Sequence, residues 1–208
     1  MTKLLFVRHG ESIYNNEKRF TGQKDIALTE LGMRQAQVTG AFLLKNYTID
    51  VIYSSDLSRA VCTAKPVADA LGLEIHTDPR FREVNLGDWT DEYIAVVKTQ
   101  RAEEYARYCQ GEAAPGGESR AQLRDRVYEA ALEIAKQNPH KTVLITAHGG
   151  SIRALLAKIG QETNVQVPIS SNASVSEVLF DGERFALGQV GMDAHLKELY
   201  SMQDEFLN

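Results

Sequence analysis

The chain has 208 residues, of which 43% are apolar, and 23 Lys and Arg against 28 Asp and Glu give a net charge of −5. This is enough for one domain with a sizeable core. The negative balance argues against a nucleic-acid partner, which needs a broad basic face. The first apolar run is interrupted by Arg8 and His9 and is too short for a signal segment or a membrane span. We therefore expect a cytoplasmic protein that binds neither nucleic acid nor a membrane.

The cysteine and histidine spacing argues against a metal site. Cys62 and Cys109 lack C-x-x-C spacing and are expected to be free thiols. The five histidines form no H-x-x-x-H pair and no cluster with carboxylates. We expect neither a metal nor another cofactor.

Short apolar runs predict strands that are buried on both faces, as in a parallel sheet. The runs are Leu4 to Val7, Asp50 to Tyr53, a weaker one from Glu74 to Thr77, and Lys141 to Thr146. Two further runs, 174–180 and 184–190, flank Asp181-Gly182, which is a hairpin signal.

Helical periodicity separates these strands. Thr29 and Ser119 stand where N-caps are expected, and Gln122 follows Ser119 at capping-box spacing. A polar helical pattern also runs from about Asp91 to Cys109. Helices alternating with buried strands predict an α/β fold, a three-layer α/β/α sandwich with a mostly parallel sheet and one antiparallel edge strand. We expect a single domain over residues 1–208, with a helical cap at about 84–118.

Polar residues gather at the carboxyl ends of the predicted strands, where α/β folds bind ligands. Arg8 and His9 follow the first strand, and His148 and Gly149 follow the strand ending at Thr146. Arg59 lies in the first helical turn after the second strand, where a cation is unfavourable unless an anion offsets it. That anion could be Asp56. It could instead be a bound phosphate, held by Arg8, Arg59 and helix N-terminal amides near Gly149.

Phosphoryl transfer from a monoester needs an in-line nucleophile, positive charge around the phosphoryl oxygens and a proton for the leaving group. Neutral imidazole is a competent nucleophile, so His9 is the candidate, and a protonated His148 would add charge. Alternatively, His9 is a hydrogen-bonded turn residue and His148 a helix cap. The candidate proton donor is Glu83, unless it forms an exposed pair with Arg82. Glu11, Asp88 and Glu118 are lesser candidates.

Seven motifs resemble those of the histidine phosphatase superfamily, in its phosphoglycerate mutase-like branch. They are L-L-F-V-R-H-G-E-S-x-x-N at 4–15, F-T-G at 20–22, D-x-x-L-T-x-x-G at 25–32, S-S-D-L-x-R-A-x-x-T-A at 54–64, R-E-x-x-x-G-x-W at 82–89, G-G-E-S at 116–119 and A-H-G-G at 147–150. The ordered set covers most of the chain.

The resemblance implies a role for each matching position. His9 would be the phosphorylated nucleophile, Arg8, Arg59 and His148 would hold the phosphate, and Glu83 would supply the proton. The remaining positions that would line the phosphate and substrate mouth are Asn15, Thr21, Gly22, Gln23 and Gly149, the last through its amide.

These roles predict a metal-independent phosphatase that acts on a small phosphorylated metabolite. A bisphosphoglycerate-dependent mutase is an alternative, although VNLGDWTDEY at 84–93 differs from the Arg- and Tyr-bearing segment of the glycolytic mutases. Lys18, Arg19 and Lys24 could supply the extra cations that a mutase needs, or could form a solvated basic loop. A catalytically idle phosphate-binding module, a sugar bisphosphatase and a hydrolase of the cobalamin nucleotide-loop precursor stay open. The C-terminal hairpin could expose an edge to a second copy, so a homo-oligomer also stays open.

Overall fold

A six-stranded sheet forms the centre of the computed structural model, which describes residues 1–163, 167 and 171–199. The strands are β1 (Thr2–Arg8), β2 (Val51–Ser54), β3 (Ile75–Thr77), β4 (Thr142–Ala147), β5 (Val175–Phe180) and β6 (Phe185–Leu187). Their order across the sheet is β3-β2-β4-β1-β5-β6.

The sheet is mostly parallel, as the sequence predicts. Strands β1, β4, β2 and β3 run parallel, and Arg8 of β1 lies opposite Ala147 of β4. The C-terminal hairpin completes the sheet, with β5 antiparallel to β1 and β6 antiparallel to β5 at the edge. Strand β6 ends at Leu187, earlier than expected, because Glu177 bonds to both Gly188 and Gln189 and the regular ladder stops there.

Seven helices connect or flank the strands within the described residues. They are α1 (Ile13–Asn16), α2 (Glu30–Asn46), α3 (Ser58–Leu71), α4 (Ile94–Gln100), α5 (Ala102–Gln110), α6 (Arg120–Gln137) and α7 (Gly149–Thr163). Both predicted N-caps are confirmed. The Thr29 hydroxyl accepts from the Gly32 amide, and Ser119 forms a reciprocal capping box with Gln122.

Apolar side chains of successive sheet residues point to two different helix layers. Leu4 and Phe6 pack in a cluster with residues of α6 and α7, whereas Leu5 and Val7 pack in a second cluster with residues of α2 and α3. The alternation follows from the twofold side-chain period of a strand. It confirms the three-layer α/β/α sandwich.

The segment predicted as one polar helix from about Asp91 to Cys109 is two helices, so that expectation is wrong in detail. Helix α4 starts only at Ile94, and Arg101, with φ −124° and ψ 42°, separates it from α5. No residue of α5 is buried, so this helix lies on the surface. None of the helices in the described ranges combines the length and apolarity that a membrane crossing requires.

Candidate active site

Five of the predicted site residues lie at one edge of the sheet. Arg8 ends β1 and His9 follows it, His148 joins β4 to α7, and Arg59 is the second residue of α3. Glu83 comes after the short 3-10 turn that follows β3. Because β2, β4 and β1 are neighbours, their carboxyl ends bring these segments together.

His9 is oriented for nucleophilic attack. Its Nδ1 lies 2.6 Å from the Gly10 carbonyl oxygen, which can only accept, so Nδ1 carries the hydrogen and Nε2 keeps its lone pair. The ring is only 4% exposed. Burial, and then the charges of Arg59 and Arg8, hold the pKa of His9 well below its usual value. The imidazole is therefore neutral at physiological pH.

His148 lies beside His9, with the two ring centroids 5.1 Å apart. Its Nε2 is 2.9 Å from the Ser55 hydroxyl, while its buried Nδ1 has no hydrogen-bond partner among the described residues. Burial and the nearby Arg59 lower the pKa of His148 well below its usual value. Without a bound anion His148 is thus neutral, and the positive charge expected of it would require the anion.

Arg59 is a buried cation held by main-chain oxygens. Its guanidinium donates to the carbonyls of Lys24 and Gly22, at 2.8 and 3.0 Å, and only 1% of the residue is exposed. Asp56, the alternative partner from the sequence, binds Arg82 instead. Within the described chain Arg59 forms no ion pair with a carboxylate. Since an unpaired buried charge costs several kcal/mol, this arrangement favours an anionic ligand.

Arg8 and Gly149 pack closely at the start of α7. A Cβ atom at position 149 would lie 3.2 Å from Arg8 Nε, so glycine lets the guanidinium approach the first turn of the helix. Helix N-terminal amides and a guanidinium together form a suitable environment for a phosphate.

Glu83 lies against the same helix N-terminus. Its carboxylate accepts from the Gly150 amide at 3.0 Å and from the Val84 amide at 2.8 Å. A Cβ at position 150 would come within 2.2 Å of Glu83 Oε1, so the second glycine of A-H-G-G makes room for the acid. The exposed pair with Arg82 that the sequence left open does not form.

Arg126 of α6 holds the segment that carries Glu83. Its guanidinium donates to the carbonyls of Arg80, Arg82 and Glu83 at 2.7, 2.9 and 2.9 Å. It also pairs with Glu118 through Nε, at 2.9 Å. Glu83 therefore stands on a main-chain segment fixed by one half-buried cation, and the contact with its carbonyl spans 43 residues in sequence.

The residues that the resemblance places at the substrate mouth form hydrogen bonds to neighbouring residues of the site. Asn15 Oδ1 accepts from the Ser12 amide, which caps α1, and from Asn172. The Gly22 carbonyl holds Arg59, as described above, and the Gln23 side-chain amide donates to the Glu83 carbonyl at 3.1 Å. The Thr21 carbonyl closes the turn by accepting from the Lys24 amide.

The lesser acid candidates have other partners or positions. Glu11 accepts from the Thr29 hydroxyl, Glu118 pairs with Arg126, and Asp88 is exposed. Two of the possible rim cations are also paired, Lys24 with Asp91 and Arg19 with Glu17.

Four contributing residues were not predicted as site residues. Ser55, Gly150 and Asn172 contact His148, the Glu83 carboxylate and the His9 carbonyl, and Arg126 anchors the Glu83 segment. Gly150 could have been found from the A-H-G-G motif. In the described part of the chain, no group of three or more His, Cys, Asp and Glu is arranged to hold a metal ion.

Comparisons with known proteins agree with this geometry. The profile of the histidine phosphatase superfamily (branch 1) matches residues 4–193. The chain is 32% identical to phosphoglycerate mutase-like protein 4 of Arabidopsis thaliana, covering 98% of this chain and 91% of that protein. It is 31% identical to putative phosphoserine phosphatase 2 of Hydrogenobacter thermophilus, covering 96% and 100%. A solved mycobacterial glucosyl-3-phosphoglycerate phosphatase with VO3 superposes with a TM-score of 0.82 at 30% identity, covering 92% and 99%.

These matches give the class of the protein, which is a metal-independent phosphatase. The chain belongs to the histidine phosphatase superfamily, as its motifs implied.

Proposed function

We propose that this protein hydrolyses a small phosphorylated metabolite through a phosphohistidine formed on His9. The observation that carries the proposal is a buried Arg59 without a carboxylate partner, close to a neutral His9 whose Nε2 keeps its lone pair. Such a pocket favours a phosphoryl group and offers a nucleophile for it.

In the first half-reaction His9 Nε2 attacks the phosphorus atom in line with the ester oxygen. Arg8 and Arg59 would balance the negative charge on the other phosphoryl oxygens. The bond from phosphorus to the ester oxygen breaks, and Glu83 gives its proton to that oxygen as the alcohol leaves. His9 then carries the phosphoryl group.

In the second half-reaction water attacks the phosphohistidine. The Glu83 carboxylate takes a proton from this water as the bond from phosphorus to nitrogen breaks. Inorganic phosphate is released, and both His9 and Glu83 regain their starting states. The neutral His148 would gain a proton, or donate a hydrogen bond, when the phosphate dianion is present.

Two alternatives receive less support from the site. A mutase has to hold a second phosphate, and of the rim cations predicted for that role Lys24 and Arg19 are engaged by Asp91 and Glu17, so these two do not supply the charge. An idle binding module would have no need for Glu83, yet its carboxylate is held at the start of α7 beside the phosphate pocket. Cytoplasmic location and a homo-oligomeric state stay predictions.

The test is labelling with a phosphate donor, quenched in alkaline detergent because a phosphohistidine is stable there and is lost in acid, together with turnover of p-nitrophenyl phosphate. We expect wild-type protein to trap acid-labile phosphohistidine and His9→Ala to lose both label and turnover, by at least about a thousandfold. His76→Ala, which changes an exposed histidine of β3, is the matched control and should retain both.

Three further measurements test the mechanism and separate the alternatives. A chelator should leave turnover unchanged, whereas vanadate should inhibit competitively because it resembles the group that the pocket holds. Isomerisation of 3-phosphoglycerate only when 2,3-bisphosphoglycerate is added would favour the mutase. Turnover retained by His9→Ala would rule out His9 as the nucleophile.

A further inference from the structure

A cleft of about 500 Å³ opens directly beside the general acid. Val84 and Gly150, whose amides hold the Glu83 carboxylate, line this cleft. In the proposed reaction Glu83 protonates the leaving oxygen, so the rest of the leaving group has to lie near it. The cleft is therefore positioned for the alcohol that the reaction releases.

The walls of the cleft come from three helices. Tyr105 and Tyr108 of α5, Leu123 of α6, and Ala154 and Ala157 of α7 supply apolar and aromatic surface. The two tyrosines also pack against the fully buried Trp89, with centroid distances of 6.1 and 5.2 Å. This packing gives the cleft a firm wall on the cap side.

Tyr108, which lines the cleft, is affected by the charges of both Glu83 and Arg120. Burial, followed by the negative charge of Glu83, raises the pKa of Tyr108 to about 12, and the charge of Arg120 opposes this rise. The hydroxyl therefore stays protonated at physiological pH and lies within electrostatic range of both Glu83 and Arg120.

Two cations line the cleft without an ion pair among the described residues. Arg153 lies one helical turn beyond Gly150 on α7, and Arg120 begins α6, where its guanidinium donates to the Cys109 carbonyl at 2.9 Å. The acidic residue of the cleft, Glu112, approaches Arg107 instead, at 3.7 Å.

These two arginines differ from Lys24 and Arg19 of the other rim. There Lys24 and Arg19 are paired with carboxylates, although the chain as a whole has a net charge of −5. Two guanidinium groups without carboxylate partners among the described residues, on two helices that line one cleft of an acidic protein, favour an anionic ligand group. Guanidinium forks suit the planar oxygens of a carboxylate and those of a phosphate.

We propose that this cleft is the leaving-group subsite, in which Arg120 and Arg153 bind an anionic group, a carboxylate or a second phosphate, on the alcohol portion of the substrate. The proposal rests on the proposed phosphatase function and narrows its substrate class. The preferred substrates are then phosphomonoesters of hydroxy acids, or bisphosphates. Phosphomonoesters whose alcohol portion carries no charge are then poorer substrates.

Matched substrate pairs test the proposal. 3-Phosphoglycerate and glycerol 3-phosphate differ by a carboxylate against a hydroxymethyl group, and fructose 1,6-bisphosphate and fructose 6-phosphate differ by a second phosphate. We expect wild-type kcat/KM to favour the more anionic member of at least one pair by about tenfold. The pair that shows the preference distinguishes a carboxylate from a phosphate ligand.

Neutral variants of the two arginines provide the decisive comparison. Arg120→Gln and Arg153→Gln should each reduce the preference about five- to tenfold, mainly through KM, because both side chains are exposed to solvent. Turnover of p-nitrophenyl phosphate, which has no second anion, should change much less than this preference. Arg34→Gln removes an exposed arginine of α2 and should change neither quantity.

Three results would overturn the proposal or separate it from the proposed function. Equal wild-type kcat/KM within both pairs would overturn it, as would a preference that survives in the Arg120→Gln/Arg153→Gln double variant. If the wild type hydrolysed no phosphomonoester at all, the proposed function would fail first. Calorimetric binding of 3-phosphoglycerate and glycerol 3-phosphate would then decide, and equal affinities would overturn the subsite.

Discussion

The phosphate pocket and the leaving-group cleft are built from different kinds of structure. In the pocket His9, His148 and Arg59 are buried and are held by main-chain oxygens and a serine at the sheet edge. In the cleft Arg120 and Arg153 are exposed and stand on α6 and α7. The pocket is thus preorganised for one chemical group, whereas the cleft can change its side chains without disturbing the sheet.

Glu83 lies at the boundary between these two regions, because its carboxylate is held by the amides of Gly150 and Val84. A variant of this residue therefore separates attack on phosphorus, which belongs to the pocket, from departure of the alcohol, which belongs to the cleft. The following predictions use that separation, beginning with the largest expected effect.

Glu83→Gln should lower turnover of an alkyl phosphate by about 100- to 1000-fold, the usual contribution of a general acid. The kcat/KM for p-nitrophenyl phosphate should fall much less, because its leaving group departs without a proton. Steady-state kcat/KM for both substrates measures the difference, because it contains only the steps up to release of the alcohol and not the attack of water, in which Glu83 also acts. Glu112→Gln, which changes another carboxylate of the cleft, is the control and should affect neither substrate. An equal fall for both substrates would contradict the assignment of Glu83 as the proton donor.

The two glycines at the start of α7 lie against different parts of the site. Gly149 lies against Arg8 in the pocket, and Gly150 lies against the Glu83 carboxylate. In Gly150→Ala the new Cβ would come within 2.2 Å of Glu83 Oε1 and displace the carboxylate, so alkyl phosphate turnover should fall about tenfold or more while the aryl phosphate is less affected. In Gly149→Ala the Cβ would lie 3.2 Å from Arg8 Nε, so both substrates should lose turnover together.

For each variant the measurement is the ratio of kcat/KM for the alkyl phosphate to kcat/KM for the aryl phosphate. A general loss of folded protein would lower both values equally and leave this ratio unchanged. Identical ratios for the two glycine variants would show that α7 does not separate the two functions. Circular dichroism melting curves for each variant give the fraction folded under assay conditions.

The sequence predicts the pocket better than the cleft, for a physical reason. His9, His148 and Arg59 are each placed by a local pattern, an apolar strand followed at once by a polar turn or by the first turn of a helix. Glu83 lies in a loop that no local periodicity fixes. Its position depends on Arg126, whose contact with the Glu83 carbonyl crosses 43 residues.

The cleft residues show why such features cannot be predicted from local patterns. Arg120 and Arg153 occupy ordinary helical positions, and their lack of ion-pair partners is apparent only once the neighbouring elements are in place. Asn15 has a structural contact that its motif position did not reveal, because its side-chain oxygen caps α1 through Ser12. The break at Arg101 between α4 and α5 carries no glycine or proline signal.

The smallest predicted effect is a pH dependence of stability that belongs to the pocket. Burial lowers the pKa of His9 and of His148 below the value of about 6.5 that an unfolded histidine has. Their contribution to stability is complete above about pH 6.5. Below it the unfolded chain binds protons that the folded chain excludes, so stability falls as pH falls, by up to about 1.4 kcal/mol per pH unit for each histidine.

Melting temperatures between pH 7.5 and pH 5 test this prediction. The wild type should lose stability on the acid side, and the His9→Asn/His148→Asn double variant should show a shallower slope, whereas His76→Ala should keep the wild-type slope. Inorganic phosphate should weaken the acid-side loss, because a bound dianion favours protonated imidazole. Tyr108 of the cleft adds nothing over this range, since its raised pKa, about 12, keeps its hydroxyl neutral throughout. A wild-type slope in the double variant would mean that the acid sensitivity arises outside the pocket.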